Sequence, residues 1–449
     1  MANQPLVLSA PPPSALSVFN ADAPYLPEVL LVDLLLRHFL RFGDIPLVEI
    51  SRRVGLSRLR VETSLTQMRA LHYLKVSRCG DIEGDVSFVL TDLGRVQATA
   101  AFEKCQYVGP APVSLDEYVC MVHNQSMRLD ATTALQLKDA LGDLVLDEDL
   151  LPSLGGALNS GKAIYLYGAS GSGKTYLAEH LARTLKGFIR IPYAIHVDGE
   201  IIQVFDPRIH HVKAPETERR SLSRDTALDG RWVLTQRPVV MTGGELTLQL
   251  LELEYDVLSR IYVAPPQMKA NNGIFVVDDL GRQRMSPHDL LNRWIVPLDR
   301  HVDYLSLHTG ATFEIPFDVT VIFSSNLTPD ELTDPAFARR LGYKIAIKAL
   351  SKNAYLEVIA QTCKRVGAEF DQHAIDHMVE HLHPSYQQDY LPCIPYDVIS
   401  KIRDRALYLG QEVHLTPDLI EWAWQMYFGP GDPARIKAAQ TPETEKERK

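Results

Sequence analysis

Cysteine is scarce in this chain: Cys79, Cys105, Cys120, Cys363 and Cys393 are scattered through 449 residues with no paired spacing. That scatter fits reduced thiols in a cytosol better than a disulfide frame or a zinc knuckle. Long apolar runs are also missing. The most hydrophobic stretch near the start is interrupted by Asp33 and Arg37, and no basic segment followed by an apolar core precedes it. We therefore expect no signal peptide, no transmembrane helix and a cytoplasmic location. Positive charge is short as well, at 46 Lys and Arg against 56 Asp and Glu. Such a balance argues against coating nucleic acid with the whole surface, while leaving room for a local basic site. No internal repeat occurs, and no Ser/His/Asp or Cys/His arrangement stands out by spacing.

What remains is ordinary globular material, 46% hydrophobic and 23% charged, long enough for two or three domains. Its most informative stretch runs from Ile164 to Thr175: an apolar strand, then Gly168-Ala169-Ser170-Gly171-Ser172-Gly173-Lys174-Thr175, then Tyr176 and apolar residues at helical spacing. This Gly-x-x-x-x-Gly-Lys-Thr pattern predicts a nucleoside triphosphate site. The glycines let backbone N–H groups turn inward around phosphate oxygens, and the following helix points its positive end at the same anion. Lys174 is expected to reach the β- and γ-phosphates of the nucleotide, and Thr175 to ligate Mg²⁺. Further on, Gly273-Ile274-Phe275-Val276-Val277 ends in Asp278-Asp279, as expected of a parallel strand buried on both faces with its acids at the carboxyl end. Asp278 is expected to hold Mg²⁺ through water and Asp279 to orient the attacking water, because phosphoryl transfer needs positioning and charge neutralisation more than covalent chemistry.

The order that follows resembles an AAA+ ATPase. After the second motif come Leu280-Gly281-Arg282-Gln283-Arg284, a helix from about Pro287 to Leu298, a hairpin through Tyr304–Leu307 and Thr312–Phe317, and Val319–Phe323 leading to Ser324-Ser325-Asn326. The hairpin is similar to that of the MoxR-like and magnesium-chelatase branch. The resemblance implies that Asn326 contacts the γ-phosphate or the attacking water. It also implies that Arg339 or Arg340, in Asp334-Pro335-Ala336-Phe337-Ala338-Arg339-Arg340-Leu341, reaches a neighbouring subunit's nucleotide, with Arg282 or Arg284 as rivals. Two departures stand out. The family usually carries Glu where this chain has the shorter Asp279, and Tyr396 stands where a sensor-2 Arg often follows Pro395; Lys401, Arg403 and Arg405 are candidate substitutes. His377-Met378-Val379-Glu380-His381, with His373 at helical spacing, matches an inverted zinc-protease signature. It lies in what the resemblance makes the helical lid, without a downstream ligand, and so reads as satisfied or solvated histidines.

Residues 25–105 show their own pattern: helices over Val29–Phe42 and Pro46–Val54, a third capped by Ser57, and strands bracketing a Gly- and Asp-bearing turn. This resembles a winged-helix domain. Its window 51–78 carries Arg52, Arg53, Arg58, Arg60, Arg69, Lys75 and Arg78 against Glu62 alone, a footprint suited to phosphate contacts, with Gln67, Arg69 and His72 placed to face a groove. A solvated helix face, or a grip on protein, accounts for the same charge.

The fold class expected is therefore α/β: a P-loop AAA+ domain (131–348) with a parallel sheet flanked by helices, an N-terminal winged helix (25–105), a linker (106–130) and a C-terminal helical lid (349–430). A disordered leader (1–24) and tail (431–449) flank them, and a charge-rich insertion near 207–237 is expected to decorate the surface. The activity expected is hydrolysis of Mg-ATP at the interfaces of a homo-oligomeric ring, a hexamer, that remodels a protein client. The alternatives are an ATP-switched DNA-binding regulator and a scaffold that binds nucleotide without turning it over.

Overall fold

The computed structural model describes residues 26–79, 86–129, 131–142, 144–147, 149–212, 229–332 and 339–429. The expected leader and tail, the centre of the 207–237 insertion and Asp334–Ala338 lie outside the described residues.

Five strands form the central sheet: β1 (Ala163–Tyr167), β2 (Val239–Thr242), β3 (Gly273–Val277), β4 (Val319–Ser325) and β5 (Leu341–Ala346). They lie side by side in the order β2-β3-β4-β1-β5, and every neighbouring pair is parallel. Continuous apolar runs such as Ile-Phe-Val-Val in β3 and Val-Ile-Phe in β4 suit this arrangement, since both faces of a parallel sheet are covered. Alternate side chains enter different cores. Tyr165, Phe275 and Phe323 pack with the fully buried Trp294 on one face, while Ile164, Leu166, Val276 and Ile322 meet Leu177 and Leu181 of α1 (Lys174–Ala182) on the other. Registers pair Thr242 with Val277, Val277 with Phe323, and Ser325 with Tyr167. The chain thus delivers Gly168, Asp278 and Asn326 to one rim, where open α/β sheets receive ligands. The α/β class expected from the sequence, with a parallel sheet flanked by helices and further helices toward the C-terminus, is the one adopted.

At its described C-terminal end the 207–237 stretch is packed into the body. Phe188–Pro192 pairs with Trp232–Gln236, and a second sheet joins Val113–Ser114, Ala194–Val197, Glu200–Gln203, Ile261–Val263 and Glu254–Asp256. Ile191, Ile195, Ile202, Trp232 and Tyr262 give this region a core of its own. Burial of these apolar side chains, not charge, governs the placement of the strands.

The N-terminal unit holds helices Glu28–Phe42, Leu47–Val54 and Arg58–Ala70, then the antiparallel pair Leu74–Cys79 and Val86–Leu90, with Ile45–Pro46 as a third strand. Ser57 caps the third helix by accepting from the Arg60 N–H, satisfying one orphan donor of the first turn. Residues 106–124 are tightly held: Ala111 N–H donates to Val54 O at 2.7 Å, Val113–Ser114 joins the second sheet, and Leu115–Asn124 is helical. At the C-terminus α2 (Lys352–Val366), α3 (Cys393–Leu409) and α4 (Pro417–Phe428) enclose Tyr355, Ile359, Val398, Ile402 and Trp424.

Candidate functional site

The loop between β1 and α1 depends on glycine. Gly171 and Gly173 hold φ of 82° and 89°, conformations that L side chains rarely adopt. Gly168 is excluded from bearing a side chain by packing as well, because a Cβ there would collide with the Ile347 carbonyl. Lys174 opens α1 and folds back over the loop, only 5% exposed. Its Nζ donates to Gly168 O at 3.0 Å, Ala169 O at 2.8 Å and Asn326 Oδ1 at 2.8 Å. Burial lowers the Lys174 pKa below the ordinary lysine value, and the carboxylates of Asp279 and then Asp278 work against that shift. Thr175 Oγ1 lies 2.9 Å from both carboxylate oxygens of Asp278.

The expected residues converge unevenly. Lys174, Thr175, Asp278 and Asn326 are joined by direct hydrogen bonds, and Asp279 is close enough to act on Lys174. Ala169 and Ser170 are exposed at the loop's crest, whereas Ser172 is buried with its Oγ unpartnered among the described residues. Tyr176 is half-exposed and packs its ring on His180 at 4.1 Å. Arg340 is tied to Asp299 at 2.8 Å, and Arg339, Arg282 and Arg284 are exposed.

The C-terminal bundle closes on the loop at the start of α3: a Cβ on Gly171 would collide with the Cys393 thiol, and Pro392 lies against Gly173. Farther along α3, Tyr396 is exposed with the Arg365 guanidinium 5.8 Å from its ring centroid. The three candidate substitutes are engaged within the bundle. Lys401 sits over Tyr427, Arg403 pairs with Asp404, and Arg405 stacks on Trp422 at 4.6 Å. His377–Leu382 is a π-helix, whose wider turn breaks the i, i+4 stripe that the histidine spacing presupposes. Among the described residues no group of three or more His, Cys, Asp or Glu is arranged to hold a metal ion.

Two features escaped the sequence reading. Gln283 bonds into the turn that carries Asp278 and Asp279, and Ser325 Oγ donates to Leu280 O at 2.7 Å. A polar residue inside an otherwise charged loop was the one available signal for the first.

A model for a domain of unknown function (DUF8689) matches residues 351–426, within the C-terminal bundle. No curated protein matches the chain. Among solved structures it is similar to NtrX from Brucella abortus, at 14% identity over 66% of this chain and 53% of that one, with a TM-score of 0.35. NtrX in complex with ADP gives 15% identity, 72% and 64% coverage, and 0.36. The Thermotoga maritima RuvB Holliday junction branch migration motor gives 13%, 68%, 73% and 0.34. The chain thus spans about half to two thirds of the NtrX chains it resembles. At these levels the geometry of the site, rather than the likeness, bears on function.

Proposed function

We propose that the chain is an AAA+ ATPase that binds and hydrolyses Mg-ATP. The observation carrying this reading is the joining of three separate segments at one rim, through Lys174 to Asn326 and Thr175 to Asp278. The glycine loop offers backbone N–H groups and Lys174 a buried cation to phosphate oxygens. A hydroxyl beside a carboxylate is a donor set of hard oxygens that suits Mg²⁺, and Thr175 and Asp278 would hold it; when bound, the ion neutralises charge on the phosphates. Asp279 accepts a hydrogen bond from the attacking water and Asn326 fixes the γ-phosphate end. Arg339 or Arg340 completes the site from a neighbouring copy, so hydrolysis requires a ring homo-oligomer, in our reading a hexamer, acting on a protein client or complex.

The test is ATP turnover per chain against protein concentration, with Lys174→Ala as the blank. Turnover rising with concentration, and falling about a thousand-fold in Arg339→Ala or Arg340→Ala with ATP still bound, is the expected result. Binding without turnover at any concentration would replace the motor by a nucleotide-bound scaffold.

A second reading, a DNA-bound regulator switched by ATP, is favoured by the N-terminal unit. Arg52 and Arg53 pair with Glu49 and Arg60 with Glu28, but Arg58, Arg69, Lys75 and Arg78 are exposed on the third helix and the first strand of the hairpin. In this reading that helix and hairpin act as a winged helix on the phosphate backbone.

A further inference from the structure

The turn after β3 holds an unusual backbone in a place where chemistry is expected. Asp279 has φ of 49° and Gly281 of 111°. The second is natural for glycine. The first places a non-glycine residue in the left-handed region, which persists only where the surroundings impose it.

Three sets of contacts impose it here, the first within the turn itself, where Arg282 N–H donates to Asp279 O at 2.9 Å. From one side the end of β4 holds the turn: Leu280 N–H donates to Ser324 O at 2.7 Å, and Ser325 Oγ donates to Leu280 O at 2.7 Å. From the other side a single side chain spans it. Gln283 Nε2 donates to Asp278 O at 2.9 Å and to Asp279 O at 3.2 Å, while Gln283 Oε1 accepts from Gly281 N–H at 2.8 Å. Its amide therefore grips the carbonyls of both acidic residues and the amide two positions beyond. Its neighbours Arg282 and Arg284 are exposed, whereas Gln283 is half-buried.

We propose that Gln283 is a positioning residue for phosphoryl transfer, which fixes the backbone of Asp279 so that its carboxylate keeps one place at the rim of the phosphate loop. The inference rests on the ATPase reading above and adds a residue to it. The shortness of Asp279 gives the brace its importance. An aspartate reaches through two side-chain torsions and a glutamate through three, so an aspartate's carboxylate follows its own backbone closely and corrects little of any shift. A displacement of about 1 Å at a reacting group costs up to about a hundred-fold in rate. A glutamine supplies both donors and acceptor at once, which neither a carboxylate nor an aliphatic side chain does.

The experiment uses the full chain and Gln283→Ala, with three readouts. Amide hydrogen exchange over residues 279–283 is expected to quicken in the variant, turnover or not. ATP binding, followed with a fluorescent nucleotide, is expected to stay within about threefold, while kcat falls between about ten- and a hundred-fold. In an Asp279→Glu background, where the longer acid adjusts for itself, the same substitution is expected to cost less, a non-additive cycle that a loss of general stability does not produce. Unchanged exchange overturns the brace. Quickened exchange with unchanged kcat, or an equal loss in both backgrounds, overturns the positioning role. A wild-type chain that binds ATP without turning it over overturns the hydrolase reading itself and the positioning role with it, an outcome visible before any variant is measured.

Discussion

Asp279 is the residue on which the proposed chemistry depends most. It follows Asp278 at the end of β3, sits in a left-handed conformation and contributes to the electrostatic environment of Lys174. A group that orients water acts mainly on the chemical step, so its removal separates binding from turnover. Asp279→Asn is expected to keep ATP affinity and to lower kcat by about a hundred- to ten-thousand-fold, the range for a positioned acid–base group. Nucleotide titration and single-turnover hydrolysis measure the two halves; an unaltered kcat would take Asp279 out of the mechanism.

At the scale of the element, helix Glu28–Phe42 carries a testable electrostatic weakness. His38 is 1% exposed and its Nδ1 pairs with Leu34 O at 2.9 Å. Burial first, helped by Arg37, Arg53 and Arg41, lowers its pKa from 6.5 to about 4, against the opposing backbone hydrogen bond. A histidine that is neutral when folded must charge when unfolded, so the unfolded chain binds more protons between these two values and stability falls as pH drops through that window. From pH 7 to pH 4 this one group is expected to remove about 3 kcal/mol. Urea midpoints at the two pH values measure it, and His38→Gln should flatten the difference by about that amount. A wild type and variant with parallel pH profiles would assign the acid sensitivity elsewhere.

For the molecule as a whole, the N-terminal unit is a packed part of the body. Ala194 and Ile201 of the second sheet share its core, and Gly55 at its helical turn meets the backbone of Gly230 so closely that neither position admits a side chain. Its exposed cations thus sit on a unit packed against the second sheet and Gly230. Duplex DNA titrated with the full chain at several salt concentrations decides between the two readings of this face. Contacts from Arg58, Arg69, Lys75 and Arg78 predict a slope of log K against log salt of roughly −3 to −4, and each alanine variant reduces its magnitude by about 1. Binding that is absent, or insensitive to salt, removes the DNA reading and leaves the face to protein or solvent.

Local chemistry determined a great deal of this protein before any fold was known. The strand–loop–helix turn at Gly168–Thr175 was legible because its left-handed positions need residues without a Cβ, and β3 and β4 because strands buried on both faces are continuously apolar. Ser57 announced its cap in the same way. What the sequence could not carry was contact between distant segments. That Asn326 meets Lys174, that Cys393 lies against Gly171, and that Trp232 pairs with Pro192 in a packed two-stranded ribbon all depend on register and closure. Gln283 shows the division most plainly: in the sequence it is one more polar residue in a loop, and only the folded turn, with a left-handed Asp279 to be held, gives its amide three partners. A hydrogen bond is set by position in space, and position is the property that spacing along a chain specifies least.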